Sequence, residues 1–236
     1  MLSRRGGECV LTTDQAASYL DVSSAEIRRL VRNGALTATS AGRTILVDEA
    51  SVRRRARLAA GRGRPLDPSV AWAALWMASG ERPDWVDQRT RTRLRSWLRQ
   101  RTPESVATAC RRRADVHDVR VLPAYREAVL SHDGVAASGL TAASDVGADV
   151  VAWGEHVAVA YCSRGVLDEL TDRYGINGRG VPNLSLRVPR AEAAAIVARR
   201  TMPAAVVAVD LLEDDDVRTR RAGADLLDRC LRENLG

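Results

Sequence analysis

Residues 12–52 read TTDQAASYLDVSSAEIRRLVRNGALTATSAGRTILVDEASV. At the centre of this stretch a short helix is expected over residues 24–33. Ser23 and Glu26 stand at S-x-x-E spacing, which satisfies orphan amides at a helix start. Asn33-Gly34 is the stop, because glycine accepts the left-handed conformation after a last turn. Ile27, Leu30 and Val31 recur at helical spacing and predict one buried stripe. Arg28, Arg29 and Arg32 fall away from that stripe. A short helix with one apolar face and several arginines on the other suits a major groove lined with phosphates.

The flanks fit the same unit. Thr12 or Thr13 caps a first helix over residues 14–20, with Ala16, Ala17 and Leu20 facing inward, and Asp21-Val22-Ser23 is the tight turn. Beyond Gly34, the β-prone runs Leu36-Thr37-Ala38-Thr39 and Thr44-Ile45-Leu46-Val47 flank Ala41-Gly42-Arg43 and predict a hairpin. Arg43 would sit at its tip, where a wing meets the backbone or the minor groove. Asp48 then caps a third helix carrying Val52 and the run Arg53-Arg54-Arg55.

In this order, L-T-T-x-x-A-A-x-Y-L-x-V-S-x-x-x-I-R-R-L-V-x-x-G-x-L, then a G-R turn and D-E-x-x-V, the residues resemble the excisionase and MerR-type winged helix-turn-helix. The resemblance covers about the first quarter of the chain and implies a head that binds double-stranded DNA. The candidate contacts are Ser24, Arg28, Arg29, Arg32, Arg43, Arg53 and Arg54. The competing reading is a helical module that binds only protein, since such modules also serve as adaptors.

Charge is placed accordingly. All 36 basic residues are arginine, and the chain has net charge +6. Residues 1–64 carry 12 arginines against 6 acids, residues 65–130 carry 12 against 8, and residues 131–236 carry 12 against 16. The basic surplus lies with the helix-turn-helix and the segment after it, as an electrostatic footprint on DNA requires. At 236 residues the chain has room for one large domain or two smaller ones. No apolar run reaches transmembrane length and no export signal is visible, so a cytoplasmic protein without a membrane partner is expected. Cys9, Cys110, Cys162 and Cys230 are far apart and predict reduced, buried thiols.

The expected organisation is a winged head over residues 1–58 and a linker over 59–68. A helical segment follows over 69–130, then a mixed α/β domain over 131–236. The whole is an α+β protein, mainly helical. Ala59-Ala60-Gly61-Arg62-Gly63-Arg64-Pro65 marks the break. Pro68 starts the next helix after Asp67. Asp84-Trp85-Val86 opens another, with Leu94, Trp97 and Leu98 as its stripe, decorated by Arg89, Arg91, Arg93, Arg95, Arg99 and Arg101. That run is either a solvated face or a second basic surface. Helices are expected over 103–113 and 124–130, and a strand over 116–122. A hairpin is expected from residues 149–153 and 156–161 around Gly154-Glu155. Then come a helix over 164–174, a strand over 184–188, an Ala-rich helix or turn over 191–199, a buried apolar run over 204–209 and a closing helix over 218–233.

The back half carries a second resemblance. Ser138-Gly139-Leu140-Thr141-Ala142-Ala143 comes first, then the strand over 157–161 and Asn183-Leu184-Ser185-Leu186-Arg187-Val188-Pro189. Next are Ala208-Val209-Asp210-Leu211-Leu212-Glu213, Asp216-Val217-Arg218 and Arg221-Ala222-Gly223. This order resembles the AbiEi-type antitoxins, partners of nucleotidyltransferase toxins in bacterial toxin–antitoxin operons, over roughly residues 116–236. It implies a repressor of its own operon that counteracts such a toxin. The more usual members carry a different winged-helix head.

No catalytic constellation is apparent, and a non-enzyme without cofactor or metal is expected. His117, His132 and His156 are scattered. The cluster Asp210, Glu213, Asp214, Asp215 and Asp216 is read as a helix cap and polar turn rather than a two-metal site. The chain has no lysine for a phosphate-binding Walker loop. Two function classes stay open: a DNA-binding regulator whose back half serves a toxin–antitoxin operon, with a homodimer as a candidate assembly, and a regulator whose back half senses a small molecule in a pocket enclosed by tryptophans. A DNA-processing enzyme stands third.

Overall fold

The computed structural model describes residues 4–5, 8–32, 36–42, 44–60, 64–150, 156–178, 181–190 and 198–236. Several expected features lie outside these residues: the Asn33-Gly34 stop, Arg43 at the wing tip, the turn Gly154-Glu155 and most of the Ala-rich stretch.

The head begins with strands β1 (Arg4–Arg5) and β2 (Glu8–Thr12), then helices α1 (Thr13–Leu20) and α2 (Ser24–Arg32). The hairpin β3 (Ala38–Ala41) and β4 (Thr44–Asp48) leads into α3 (Glu49–Ala60). Thr12 and Gln15 form the complete reciprocal cap of α1: the Gln15 amide donates to Thr12 Oγ1 at 3.2 Å and the Thr12 amide to Gln15 Oε1 at 2.9 Å. Asp21 ends that helix with φ 53°, in the left-handed region that Asp tolerates better than most side chains. The Ser51 amide donates to Asp48 Oδ2 at 2.8 Å, so Asp48 caps α3. Ala16, Ala17, Ile27, Leu30, Leu36, Val47 and Val52 make the head's small core. The wing is not a lone hairpin. β2 pairs antiparallel with β4, Leu11 opposite Val47, giving the order β1-β2-β4-β3.

The body opens with α4 (Pro68–Ala78), α5 (Gln88–Leu98) and α6 (Pro103–Ala109). Then follow β5 (Ala114–Val119), α7 (Pro123–Leu130), β6 (Val135–Ser138), β7 (Ala158–Cys162), α8 (Arg164–Tyr174) and β8 (Leu184–Pro189). The last elements are α9 (Ala204–Leu212) and α10 (Val217–Leu235). Asp67 caps α4, with Pro68 in its first turn. The second helix starts later than expected: Asp87, not Asp84, caps it by accepting from the Thr90 amide at 2.6 Å.

The four strands of the body form one sheet, β5-β8-β7-β6, with β7 and β8 parallel and the outer pairs antiparallel. β7 therefore has β6 and β8 as its two neighbours, and residues 151–153 of the expected hairpin lie outside the described residues. β5 belongs to this sheet, so the expected boundary at residue 131 cuts through it. Every residue of β8 is buried, as a strand covered on both faces requires. Leu184, Leu186 and Val188 join the core of α7 and α8 on one face. Ser185 and Arg187 take the alternate positions, facing the side where α9 packs.

That second face carries the larger core, built from α4, α5, α6, α9 and α10. α9 is apolar nearly all round and buried, which is why residues 204–209 show no helical stripe. Trp72 and Trp76 stack edge to face with Tyr161 and Trp85 inside it, at centroid distances of 5.4–5.5 Å.

Within this core lies an ionic cluster. Arg113 Nη1 donates to Glu213 Oε1 at 2.7 Å, Arg113 Nη2 to Asp210, and Arg187 Nη1 to Glu213 Oε2 at 2.7 Å and to Asp210. Tyr161 and Ser138 also donate to Asp210, the former at 3.0 Å. Burial disfavours charge here, but Arg113 and Arg187 outweigh it and hold the Glu213 carboxyl well below the usual carboxylate range. Asp216 caps α10 through the Thr219 amide at 2.8 Å. The acidic stretch thus splits into an ion cluster and a cap.

Candidate nucleic-acid interface

Helix α2 buries Ile27 and Leu30 and exposes Arg28, Arg29 and Arg32. The cationic face follows directly from the apolar spacing. The Glu26 amide donates to Ser23 Oγ at 3.2 Å, which is the cap. Both Glu26 oxygens accept from Arg29, at 2.7 and 2.6 Å. That hydrogen bond holds the Glu26 carboxyl below its ordinary value. Arg29 is consequently tied within its own helix, while Arg28 and Arg32 project from the same exposed side.

The remaining candidates fall in different places. Ser24 Oγ donates to Asp14 Oδ1 at 2.6 Å, so this hydroxyl pins α1 to α2. Arg53 pairs with Glu49 one turn back on α3. Arg54 lies on the same helix, with its side chain outside the described residues. Arg43 lies outside them altogether.

The structure adds a basic extension that the sequence spacing did not reveal. Arg55 on α3 is half-buried, and burial lowers its pKa; Glu26 opposes that, while the positive charges of Arg29 on α2 and Arg112 on the body add to the lowering. Arg112 follows α6 and is exposed. Basic charge from the body thus reaches that of the head, although Arg112 lies 57 positions beyond Arg55 in the chain. The run on α5 is partly structural. Arg91 donates to the Pro83 carbonyl at 3.2 Å, Arg99 to the Leu235 carbonyl at 2.5 Å, and Arg101 stacks on Trp97 at 5.3 Å.

Head and body also enclose a cleft of about 790 Å³, bounded by Thr37, Asp48 and Ser51 on one side and by β5, β8 and the α9–α10 turn on the other. Thr37 Oγ1 donates to Asp118 Oδ2 at 3.0 Å across the junction. Trp72, Trp76, Trp85 and Trp97 do not line it but belong to the body core, and Trp153 lies outside the described residues. Among the described residues, no group of three or more His, Cys, Asp or Glu stands together to hold a metal ion. Among them, too, no helix is long and apolar enough to cross a membrane.

The capped pair α1–α2, the wing and the arginine face define a helix-turn-helix head. In comparison with known families, residues 10–57 match the family described as Helix-turn-helix domain. The match spans β2 through most of α3 and supports a DNA-binding head. No curated protein matches the chain, and no solved structure does.

Proposed function

We propose that the chain is a DNA-binding repressor of its own operon, working as a homodimer in the cytoplasm, whose body counteracts a nucleotidyltransferase toxin. The observation that carries the DNA-binding part is the exposed Arg28, Arg29 and Arg32 on a capped helix inside the matched region. The resemblance of residues 138–143, 157–161, 183–189, 208–213, 216–218 and 221–223 to AbiEi-type antitoxins supports the toxin-directed part. The reading assigns no reaction and no cofactor to the chain. A regulator answering to a small molecule is the second reading, favoured by the cleft between head and body.

The test is paired. Binding of the chain's own promoter is measured for Arg28→Ala and Arg29→Ala over a salt series, beside growth of cells expressing the neighbouring toxin. A base-reading arginine contributes about 1–3 kcal/mol, whereas a phosphate contact lowers the salt slope by about one. Both variants should weaken promoter binding and leave rescue from the toxin intact. Unchanged affinity and slope in both would remove α2 as the DNA contact. Absence of rescue by the full chain would leave the small-molecule reading in its place.

A further inference from the structure

We propose that the exposed face of α5 is a second nucleic-acid surface, one that grips the phosphate backbone of duplex DNA without reading its sequence. The proposal rests on the DNA-binding reading only in preferring DNA to duplex RNA.

The first observation is composition. Residues 88–102 carry six arginines and no acid. Eight residues over 88–100 are exposed; four are Arg89, Arg93, Arg95 and Arg99, and the others are glutamine, threonine or serine. Acids flank this stretch only at its ends. Asp87 caps α5 by accepting from the Thr90 amide, and Glu104 stands in the first turn of α6. Glu81 and Asp84, just before the helix, are matched by Arg199 and Arg82. Side chains outside the described residues cannot cancel the excess, because they include only three acids, Glu8, Glu155 and Glu192.

The second observation is a contrast with the other exposed helices. α8 exposes Arg164 and Arg173 among Asp168, Glu169 and Asp172, and α10 exposes Arg221, Arg229 and Arg232 with Asp225 and Glu233. Mixed signs of this kind are what solubility alone requires. On α5 the neighbours four apart, Arg89 with Arg93 and Arg95 with Arg91 and Arg99, are like charges that weaken the helix. A bound polyanion replaces that repulsion with attraction.

The third observation is that the fold uses only some of these arginines. Arg91 donates to the Pro83 carbonyl, Arg99 to the Leu235 carbonyl, and Arg101 stacks on Trp97. Arg89, Arg93 and Arg95 make no ion pair among the described residues.

The chemistry of the face selects its partner. Arginine interleaved with threonine, serine and glutamine is a set that meets phosphate oxygens. The exposed residues include no apolar side chain to anchor a protein partner or a bilayer. They include no aromatic ring on which an unpaired base could stack. A helix of 11 residues offers about 16 Å of cationic edge, along which one strand of a duplex passes about five phosphates.

The experiment is fluorescence anisotropy of the full chain with a labelled random-sequence DNA duplex across a salt series, beside a duplex RNA of the same length. The triple variant Arg89→Gln, Arg93→Gln and Arg95→Gln should lower the salt slope on DNA by about two to three and weaken binding about tenfold or more at low salt. Lysine at the same three positions should restore both, because a phosphate contact needs charge rather than the guanidinium fork. The control variant Arg164→Gln, Arg173→Gln and Arg221→Gln removes equal charge from the mixed faces and should leave the slope unchanged. An unchanged slope and affinity in the α5 variant overturns the surface. Equal loss in the control overturns it too, since net charge would then suffice. Failure of the lysine variant to restore binding assigns the loss to altered packing and also overturns it. A loss confined to duplex RNA overturns the choice of DNA. The head is scored apart: Arg28→Ala with Arg29→Ala should abolish the preference for promoter over random duplex. If that preference survives while the α5 variant loses binding, the helix-turn-helix reading fails and the α5 surface stands.

Discussion

Arg113 and Arg187 place two guanidinium groups in the core, where an isolated charge is strongly disfavoured. They persist because Asp210 and Glu213 match them and because Tyr161 and Ser138 occupy further acceptor positions on Asp210. Arg113→Met should therefore destabilise by about 3–5 kcal/mol, since it leaves buried carboxylate uncompensated rather than merely removing a contact. Denaturant unfolding reads this, and an unchanged midpoint would contradict the cluster's role. The same cluster sets an acid response. Glu213 has a folded pKa depressed from its ordinary 4.5, so its stabilisation is full above about pH 4.5 and is lost as pH falls through the folded value. Unfolding midpoints measured downward from pH 6 should show that loss in the intact chain, and a smaller one in Glu213→Gln. The sequence displays the acids as one run. It could not display their partners, because Arg113 lies about a hundred positions from Glu213 and no periodicity links residues that meet only through a sheet.

Single elements were legible where one local rule decided them. α2 shows its apolar stripe, its Ser23 cap and its arginines within one short window. α9 opens with an unbroken apolar run over residues 204–209, and length alone could not distinguish a buried strand from a buried helix. Its packing gives a sharp expectation. A Cβ at Gly223 on α10 would stand 2.7 Å from the Ala208 carbonyl oxygen and 2.8 Å from Leu211 Cβ. Neither atom is the loose end of a side chain, so the helices must separate. Gly223→Ala should cost about 1–3 kcal/mol despite its better helix propensity. A thermal midpoint at or above that of the parent would show that α9 and α10 do not pack this closely. On α2 the expectation has the opposite sign. Glu26 binds Arg29 and places negative charge on the exposed face, so Glu26→Gln should release Arg29 and tighten promoter binding at low salt. Fluorescence anisotropy with labelled promoter measures it; weaker binding would mean that Glu26 orients Arg29 for contact.

At the scale of the molecule, the sequence revealed a head, a break and a body, but not where the body divides. Helices over 69–130 read as a separate segment because each is locally complete. The structure shows β5 completing the sheet of the back half, and α4 sharing a core with α9 and α10. A deletion of residues 131–236 would therefore strand β5 and expose α4, and its failure would report unfolding rather than function. The linker at 61–65 is the physical place to cut. The head retains its own core of Ile27, Leu30, Val47 and Val52, yet that core is small and the unit would be marginal alone. The body contributes Arg112 beside Arg55 and holds the wing through Thr37 and Asp118. Residues 1–64 should thus bind the promoter more weakly than the whole chain, with a shallower salt dependence, because phosphate contacts from the body are lost. Arg112→Ala in the full chain should reproduce part of that change, lowering the salt slope by about one if it meets a phosphate. Residues 65–236 should fold alone and, on the antitoxin reading, retain the growth rescue that the head alone lacks. Rescue by the head fragment would reverse that division of labour, and equal promoter affinity of fragment and full chain would confine the DNA surface to α2 and the wing.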